Sequence, residues 1–207
     1  MELEYKFMLD SAAQGMQVVQ ALRAGTIEDA RLISEKSVDM DSTYFDTAQG
    51  TLWRKGFALR LRKENGRLIC CLKCGGPADI SGLSRRGEWE SACEGIDDGL
   101  EKLKALGAPD CFSEICAGAL RVAAVVRFLR CACLLETGTA VCELSLDQGN
   151  FGIETGKNRF CELELEWKSG EKEDFCAFAG FLARHYALKP EERSKLVRAL
   201  AVGGCAD

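Results

Sequence analysis

The segment Glu2-Leu3-Glu4-Tyr5-Lys6-Phe7 puts charged residues on every second position, with Leu, Tyr and Phe between them. A two-residue period sends successive side chains to opposite faces of a strand, so this segment predicts a strand with one charged and one apolar face. The same parity returns along the chain. Arg60 and Arg62 alternate with Leu59 and Leu61, Lys73 follows Leu72, and Arg86, Glu88 and Glu90 share a face. Glu143 and Asp147 oppose Leu144 and Leu146, while Glu162, Glu164 and Glu166 alternate with Leu163, Leu165 and Trp167.

Between these runs the period changes. Asp10-Ser11 precedes a helical pattern through Arg23, with Met16, Val19 and Leu22 as its stripe and Gly25 as its stop. Residues 30–46 read as one long or bent strand, and 47–56 as a turn or short helix. Asn65-Gly66 is a two-residue hairpin turn between alternating runs. Residues 75–84 predict a flexible loop and 85–92 a short strand. A helix over 95–109 carries Leu100, Leu103 and Leu106 on one face, and 112–121 predicts a further helical piece. Three strands at 125–135, 139–147 and 159–168 are joined by turns at Thr137-Gly138 and at 149–156. Residues 173–186 are helical, and Pro190 reads as the starter of a last helix over 191–202. The expectation is a single α+β domain over 1–207, with many antiparallel strands and neither repeat nor linker.

The charged faces admit two geometries. An open sheet would pack its apolar face on helices and leave the charged face in water. Solvated faces usually mix Thr, Ser, Gln and Lys, whereas here Arg, Glu and Asp cluster on strand after strand. A sheet closed on itself would turn that face inward and cover its outside with helices. Such a lumen needs water, a highly charged ligand and metal ions, because unpaired buried charge is prohibitively costly. Carboxylates suit hard cations such as Mg²⁺ or Mn²⁺, and guanidinium and ammonium groups suit phosphate oxygens.

Composition narrows the function further. At 207 residues there is room for one domain with a sizeable core. A net charge of −5 argues against DNA binding through a broad basic surface, though not against an anion in a locally basic cavity. The most apolar stretch, 117–126, is too short for a bilayer and contains Arg121, so no membrane partner is expected. The N-terminal segment is charged and patterned rather than basic then apolar, so a cytoplasmic protein without secretory signal is expected. That setting disfavours disulfides among the 12 cysteines. The Cys71-Leu-Lys-Cys74 pair has no second C-x-x-C to complete a zinc site. Cys70, Cys131, Cys133, Cys142 and Cys161 sit where strands take small apolar residues and read as packing. A single His185 argues against histidine-based metal sites and triads. Trp53, Trp89 and Trp167 also read as packing residues.

These residues resemble the CYTH, or triphosphate tunnel metalloenzyme, superfamily over nearly the whole chain. The resemblance runs through E-x-E-x-K at Glu2, Glu4 and Lys6, "YFDT" at 44–47, "GFALRLRKENG" with Arg60 and Arg62, and Lys73 in "CLK". It continues through Arg86 and Glu88 in "RRGEW", Arg130 in "RFLRCAC", Glu143 and Asp147 in "ELSLDQG", Glu162 and Glu164 in "CELELE", and Ser194-Lys195. E-x-E-x-K alone is a weak signal; the ordered set with matching parity is a strong one. It is most similar to the bacterial inorganic triphosphatase branch.

The resemblance implies an eight-stranded antiparallel β-barrel, a tunnel with a charged lumen flanked by α-helices. It implies hydrolysis of inorganic triphosphate, or a related triphosphate, to pyrophosphate and phosphate with Mg²⁺ or Mn²⁺. Arg60, Arg62, Lys73, Arg86, Arg130 and Lys195 would then bind phosphate oxygens, with Lys6 beside the scissile phosphoryl group. Glu162 and Glu164 would hold the metal that bridges the phosphates. Glu2 and Glu4 would hold a second that activates water, making Glu2, Glu4 and Lys6 the catalytic set. Glu88, Glu143 and Asp147 would ligate metal or orient the bases. Arg85 and Arg127 lie off the inward parity and are left out. The alternatives are a class IV adenylate cyclase, with the ribose 3′-oxygen as nucleophile, and a non-catalytic polyphosphate-binding module. Some relatives carry a further helical, His-rich domain, so the chain is expected to be a stand-alone enzyme or a piece of a longer one. A homodimer is an expectation of the resemblance alone.

Overall fold

Eight antiparallel strands close into a barrel in the computed structural model, which describes residues 2–75, 78–153 and 156–203. They are β1 (Glu2–Met8), β2 (Ala30–Thr47), β3 (Phe57–Glu64), β4 (Arg67–Cys74), β5 (Leu83–Ala92), β6 (Leu120–Thr137), β7 (Ala140–Phe151) and β8 (Arg159–Ser169). Around the barrel the order is β1-β5-β4-β3-β2-β6-β7-β8, and β8 pairs again with β1. Closure leaves no free edge among the eight strands. A short ninth strand, β9 (Lys189–Pro190), continues beside Phe7 and Met8 of β1.

The apolar faces point outward and are covered by helices. Helix α1 (Ala12–Arg23) is capped by Ser11, whose hydroxyl accepts from the Gln14 amide. Val18, Val19 and Leu22 of α1, with Phe175, Phe178 and Leu182 of a later helix (Lys172–His185), bury Leu3, Phe7, Leu144, Leu146, Leu163 and Leu165. Gly15 lets α1 approach closely, since a Cβ there would stand 2.4 Å from a Leu146 methyl. On the far side, beyond the one-turn α2 (Thr51–Arg54), α3 (Ile96–Ala105) and α4 (Asp110–Cys116) place Leu103 and Phe112 against Leu59, Cys70 and Leu72. Each fully buried Leu or Phe contributes about 1.5–3 kcal/mol, so this outer shell, rather than the lumen, holds the barrel together. The Lys172–His185 helix is α5, and α6 (Lys195–Ala201) follows β9.

Helix α6 lies on the inner side. Its Leu196 and Ala199 pack with Val38, Met40 and Phe128, which face into the barrel, and with Phe151. One part of the lumen is therefore filled by a helix, and the remainder stays open.

Several boundaries differ from expectation. The helical piece expected over 112–121 ends at Cys116, and β6 begins at Leu120 because it pairs with β2 along its whole length, from Ala30 opposite Thr137 to Thr47 opposite Leu120. The turn expected at 149–156 starts later, since β7 runs to Phe151, whose ring stacks on Phe160 at 4.6 Å. Residues 154–155 of that turn and 76–77 of the 75–84 loop lie outside the described residues. Pro190 does not start a helix: Lys189–Pro190 pair with β1, the Glu191 amide donates to the Lys6 carbonyl at 3.0 Å, and α6 begins only after Ser194. The Ser194 hydroxyl then caps that helix by accepting from the Val197 amide.

Every described cysteine is a free thiol, with Cys205 outside the described residues. Cys70, Cys133 and Cys142 are buried, Cys131 and Cys161 half-buried. Trp89 and Trp167 pack against apolar clusters, whereas Trp53 is exposed. Among the described residues no helix is long and apolar enough to cross a membrane.

Candidate active site

The barrel encloses a cavity of about 280 Å³ whose lining is mostly ionisable. Strand register explains why. Glu4 stands opposite Glu166, which stands opposite Glu143, so three carboxylates form one cross-strand row. Lys6 stands opposite Glu164 in the next row, and Glu162 opposite Asp147 in the one after. From the other side, Glu2 faces Arg86 on β5, and Lys73 faces Glu88. Like charges directly across strands are destabilising, so the acidic row needs cations within reach.

Those cations come from the same strand or from its neighbours. Lys73 Nζ lies 2.5 and 2.7 Å from the two Glu2 oxygens and 3.4 Å from Glu88. Lys6 Nζ sits 3.3 Å from Glu4 and 3.6 Å from Glu164. Arg86 reaches Glu4 at 3.6 Å, Arg60 reaches Glu88 at 4.0 Å, and Arg62 contacts Glu64 at 2.6 Å and Glu90 at 3.3 Å. Twelve of the expected residues thus line the cavity: Glu2, Glu4, Lys6, Arg60, Arg62, Lys73, Arg86, Glu88, Arg130, Glu143, Glu164 and Lys195.

The other two, Asp147 and Glu162, point inward but are wholly buried beneath α6 and do not border the open space. With Glu164 they form a cluster whose carboxylate oxygens lie within 4.8 Å of one another. Lys195, the first residue of α6, caps that cluster at 2.7 Å from Asp147 and 2.8 Å from Glu164, and also contacts Glu162. Arg130 grips Asp147 with two donors at 2.8 and 2.7 Å and reaches Glu164 at 2.5 Å.

Ionisation follows this layout. Burial pushes the Glu164 carboxyl up, but Lys195, Arg130 and Lys6 outweigh it and hold the group well below the ordinary range. Glu4 and Glu88 are likewise held low against burial, Glu4 chiefly by Lys6 and Glu88 by Lys73 and Arg60. Glu2 and Glu166 go the other way: burial dominates, Glu4 adds repulsion to both, and each is raised. Lys73 and Lys195 are raised despite burial by their carboxylate neighbours. The donor set fits a divalent cation of the Mg²⁺ type, since every acidic group here offers hard oxygen atoms in a partly enclosed space.

Some residues escaped the sequence reading. Lys36 lies 3.6 Å from Glu143, and Lys168 lies 2.8 Å from Glu166. Lys36 shares the inward parity of Val38, Met40 and Tyr44, a signal available in the sequence. Arg198 is buried against Glu162; it follows Lys195 by one helical turn, but only a helix placed inside the barrel gives that spacing meaning. Cys71 also turns inward and its thiol donates to Glu88 at 3.2 Å. Arg127 and Arg85 are exposed, as their parity requires; Arg127 pairs with Asp41 at 3.1 Å.

Comparison with known proteins places these features in context. The sequence model of the CYTH domain matches residues 1–200. An inorganic triphosphatase of Haemophilus influenzae is 25% identical over 202 residues, covering 98% of this chain but 55% of that protein, so the chain spans about half the length of this curated relative. Among solved structures, HpAC1 of Hippeastrum, provisionally named an adenylyl cyclase and described as revealing a dominant triphosphatase activity, superposes with a TM-score of 0.69 at 21% identity, covering 100% of this chain and 98% of that one. A Bacillus halodurans protein provisionally named an adenylate cyclase gives 0.61 at 16% identity, covering 96% of each chain. Protein PH1819 of Pyrococcus horikoshii gives 0.58 at 18%, covering 98% of this chain and 99% of that one. At such identities the structural likeness concerns the fold.

Proposed function

The chain belongs to the CYTH family, and from that premise we propose that it hydrolyses inorganic triphosphate to pyrophosphate and phosphate with the help of Mg²⁺ or Mn²⁺. One observation carries the reading: inside a cavity of about 280 Å³, bases suited to phosphate oxygens face carboxylates suited to hard cations. The matched triphosphatase from Haemophilus influenzae and the described activity of the Hippeastrum protein point the same way.

In this reading Arg60, Arg62, Lys73, Arg86, Arg130 and Lys195 bind and orient the phosphate chain. Arginine forks give paired contacts to adjacent oxygens, and the lysines act as point charges. Lys6 lies between Glu4 and Glu164 and turns to the phosphoryl group that is transferred, where it stabilises charge developing on the oxygens. Glu2, Glu4, Glu162 and Glu164 would hold the divalent cations, with Glu88, Glu143 and Asp147 orienting the bases or joining as ligands. A cation held there supplies Lewis acidity toward phosphate oxygens and water.

The test is a product screen over triphosphate, ATP, thiamine triphosphate and pyrophosphate with each metal. Phosphate release fastest from triphosphate is the expected result. Cyclic AMP and pyrophosphate from ATP, with no phosphate from triphosphate, would sink the proposal, and tight polyphosphate binding without turnover would mark a binding module.

A further inference from the structure

On the outer face of the barrel, away from the tunnel, a second set of metal-ligating side chains converges. Cys131 and Cys133 of β6 share the outward parity, and Glu35 of β2 stands directly opposite Cys133 in the ladder. One ligand atom from each of the three lies within 4.8 Å of the others. The Cys131 thiol donates to a Glu35 oxygen at 3.2 Å. Glu35 is held from its other side by Arg23, the last residue of α1, which donates from Nε at 2.9 Å and from a terminal nitrogen as well.

We propose that Glu35, Cys131 and Cys133 form a zinc site separate from the tunnel, with solvent as the fourth ligand. Two sulfurs and one carboxylate oxygen suit a tetrahedral, borderline-soft cation rather than the hard cations of the tunnel. The ligands stand on two paired strands, so little must move to bring them to one ion. Glu35 is exposed and Cys131 half-buried, which leaves an approach from solvent, while the buried Cys133 anchors the inner side. Binding exchanges the two thiol protons, which pass to solvent, for Zn²⁺. Two thiolates, one carboxylate, Zn²⁺ and the Arg23 guanidinium then sum to zero charge. Arg23 thus completes the site electrostatically, and each Glu35 oxygen keeps a second lone pair for the metal. The same pair of donors fixes the carboxylate's orientation, the role that outer partners play around protein-bound zinc.

The test titrates the full chain with Co²⁺, a spectroscopic stand-in for zinc, in excess Mg²⁺ so that the oxygen sites of the tunnel are occupied. One equivalent should develop thiolate-to-cobalt charge-transfer absorption and bleach on adding Zn²⁺. Cys131→Ser/Cys133→Ser should abolish that band and remove one zinc per chain by elemental analysis, with triphosphatase activity unchanged. Cys71→Ser, which alters the tunnel thiol, should leave the band intact. Absence of a thiolate band in the reduced wild-type protein, or its persistence in the double variant, would overturn the proposal. Because the readout is metal binding at the outer face, it stands or falls independently of the tunnel's substrate.

Discussion

Lys195→Met tests whether the buried acidic cluster beneath α6 is an electrostatic keystone and a cation cradle. Methionine keeps the length and helix propensity of the side chain, so the Ser194 cap and the α6 packing persist. What disappears is the ammonium that stands 2.7 Å from Asp147 and 2.8 Å from Glu164 and contacts Glu162. Two of these carboxylates are wholly buried, and removing one partner of a buried ion pair costs about 3–5 kcal/mol. For a chain of this size each kcal/mol lowers Tm by roughly 2–4 °C, so a fall of about 6–20 °C is expected in EDTA at pH 7.

Acid should narrow the gap. In the wild type, Glu164 is held low, so its contribution is complete above the ordinary carboxylate pKa of about 4.3 and is lost only as pH falls through its lower folded value. Lys195 is raised, so its contribution is constant below the ordinary lysine value of about 10.4. Any change in the gap between pH 5 and 8 therefore reports on the carboxylates of the variant, one of which takes up a proton once the ammonium is gone. Mn²⁺ should rescue too: at a hundredfold excess over Kd, binding to the folded state alone returns about 2.7 kcal/mol. Thermal and urea unfolding of both proteins, with EDTA or Mn²⁺, at pH 5 and 7, measure all three effects. A variant within about 1 kcal/mol of wild type in EDTA would refute the keystone argument, since that is the scale of an exposed pair. A large loss that Mn²⁺ leaves untouched would refute the cradle.

Glu4→Gln and Lys6→Met should each lower triphosphate turnover by about 10²-fold or more while far-ultraviolet circular dichroism stays unchanged; near-wild-type rates in both would remove them from the chemistry. Glu166→Gln should raise Tm in EDTA at pH 7. Burial and Glu4 raise this carboxyl, so its charged form costs stability at neutral pH and the cost fades as pH falls; a lower Tm at pH 7 would contradict the reasoning. Mn²⁺ and a non-hydrolysable triphosphate analogue should each tighten the other's binding by about 5- to 150-fold in calorimetric titrations, and independent binding would show that acids and bases are not exchanging partners.

Parity carried most of the site. A strand repeats every two residues whatever its neighbours are, so Glu2, Glu4, Lys6, Arg60, Arg62 and Glu164 were readable as one face before any pairing was known. The clustering of Arg, Glu and Asp favoured an inward face, but closure itself was not readable, because it depends on β5 meeting β1, a pairing between segments about eighty residues apart. The resemblance supplied closure where periodicity could not. Helix α6 shows the other limit. Its sequence is amphipathic in the ordinary way, and nothing local says that its buried face meets the inside of a barrel rather than the outside. Hence Lys195 was found through its motif and Arg198 was missed, although both are buried on the same helix. Pro190 misled for a related reason. Its fixed φ suits a helix start and an edge strand equally, and only the β1 backbone decides between them.

In the cavity acids and bases neutralise one another: Lys73 with Glu2, Lys6 between Glu4 and Glu164, Arg130 with Asp147 and Glu164. A polyphosphate entering alone would draw the bases off and leave buried carboxylates uncompensated. A divalent cation entering alone would do the same to the bases. Either half-reaction incurs the desolvation penalty that makes broken buried pairs costly. In the proposed function, entry of both would convert each internal pair into two external ones at nearly constant charge, with anion on Arg60, Arg62 and Arg86 and cation on Glu2, Glu4, Glu162 and Glu164. The self-neutralised lumen therefore does two things at once. It balances the charge that a closed barrel buries, and in the proposed function it would favour uptake of substrate and metal together over either by itself.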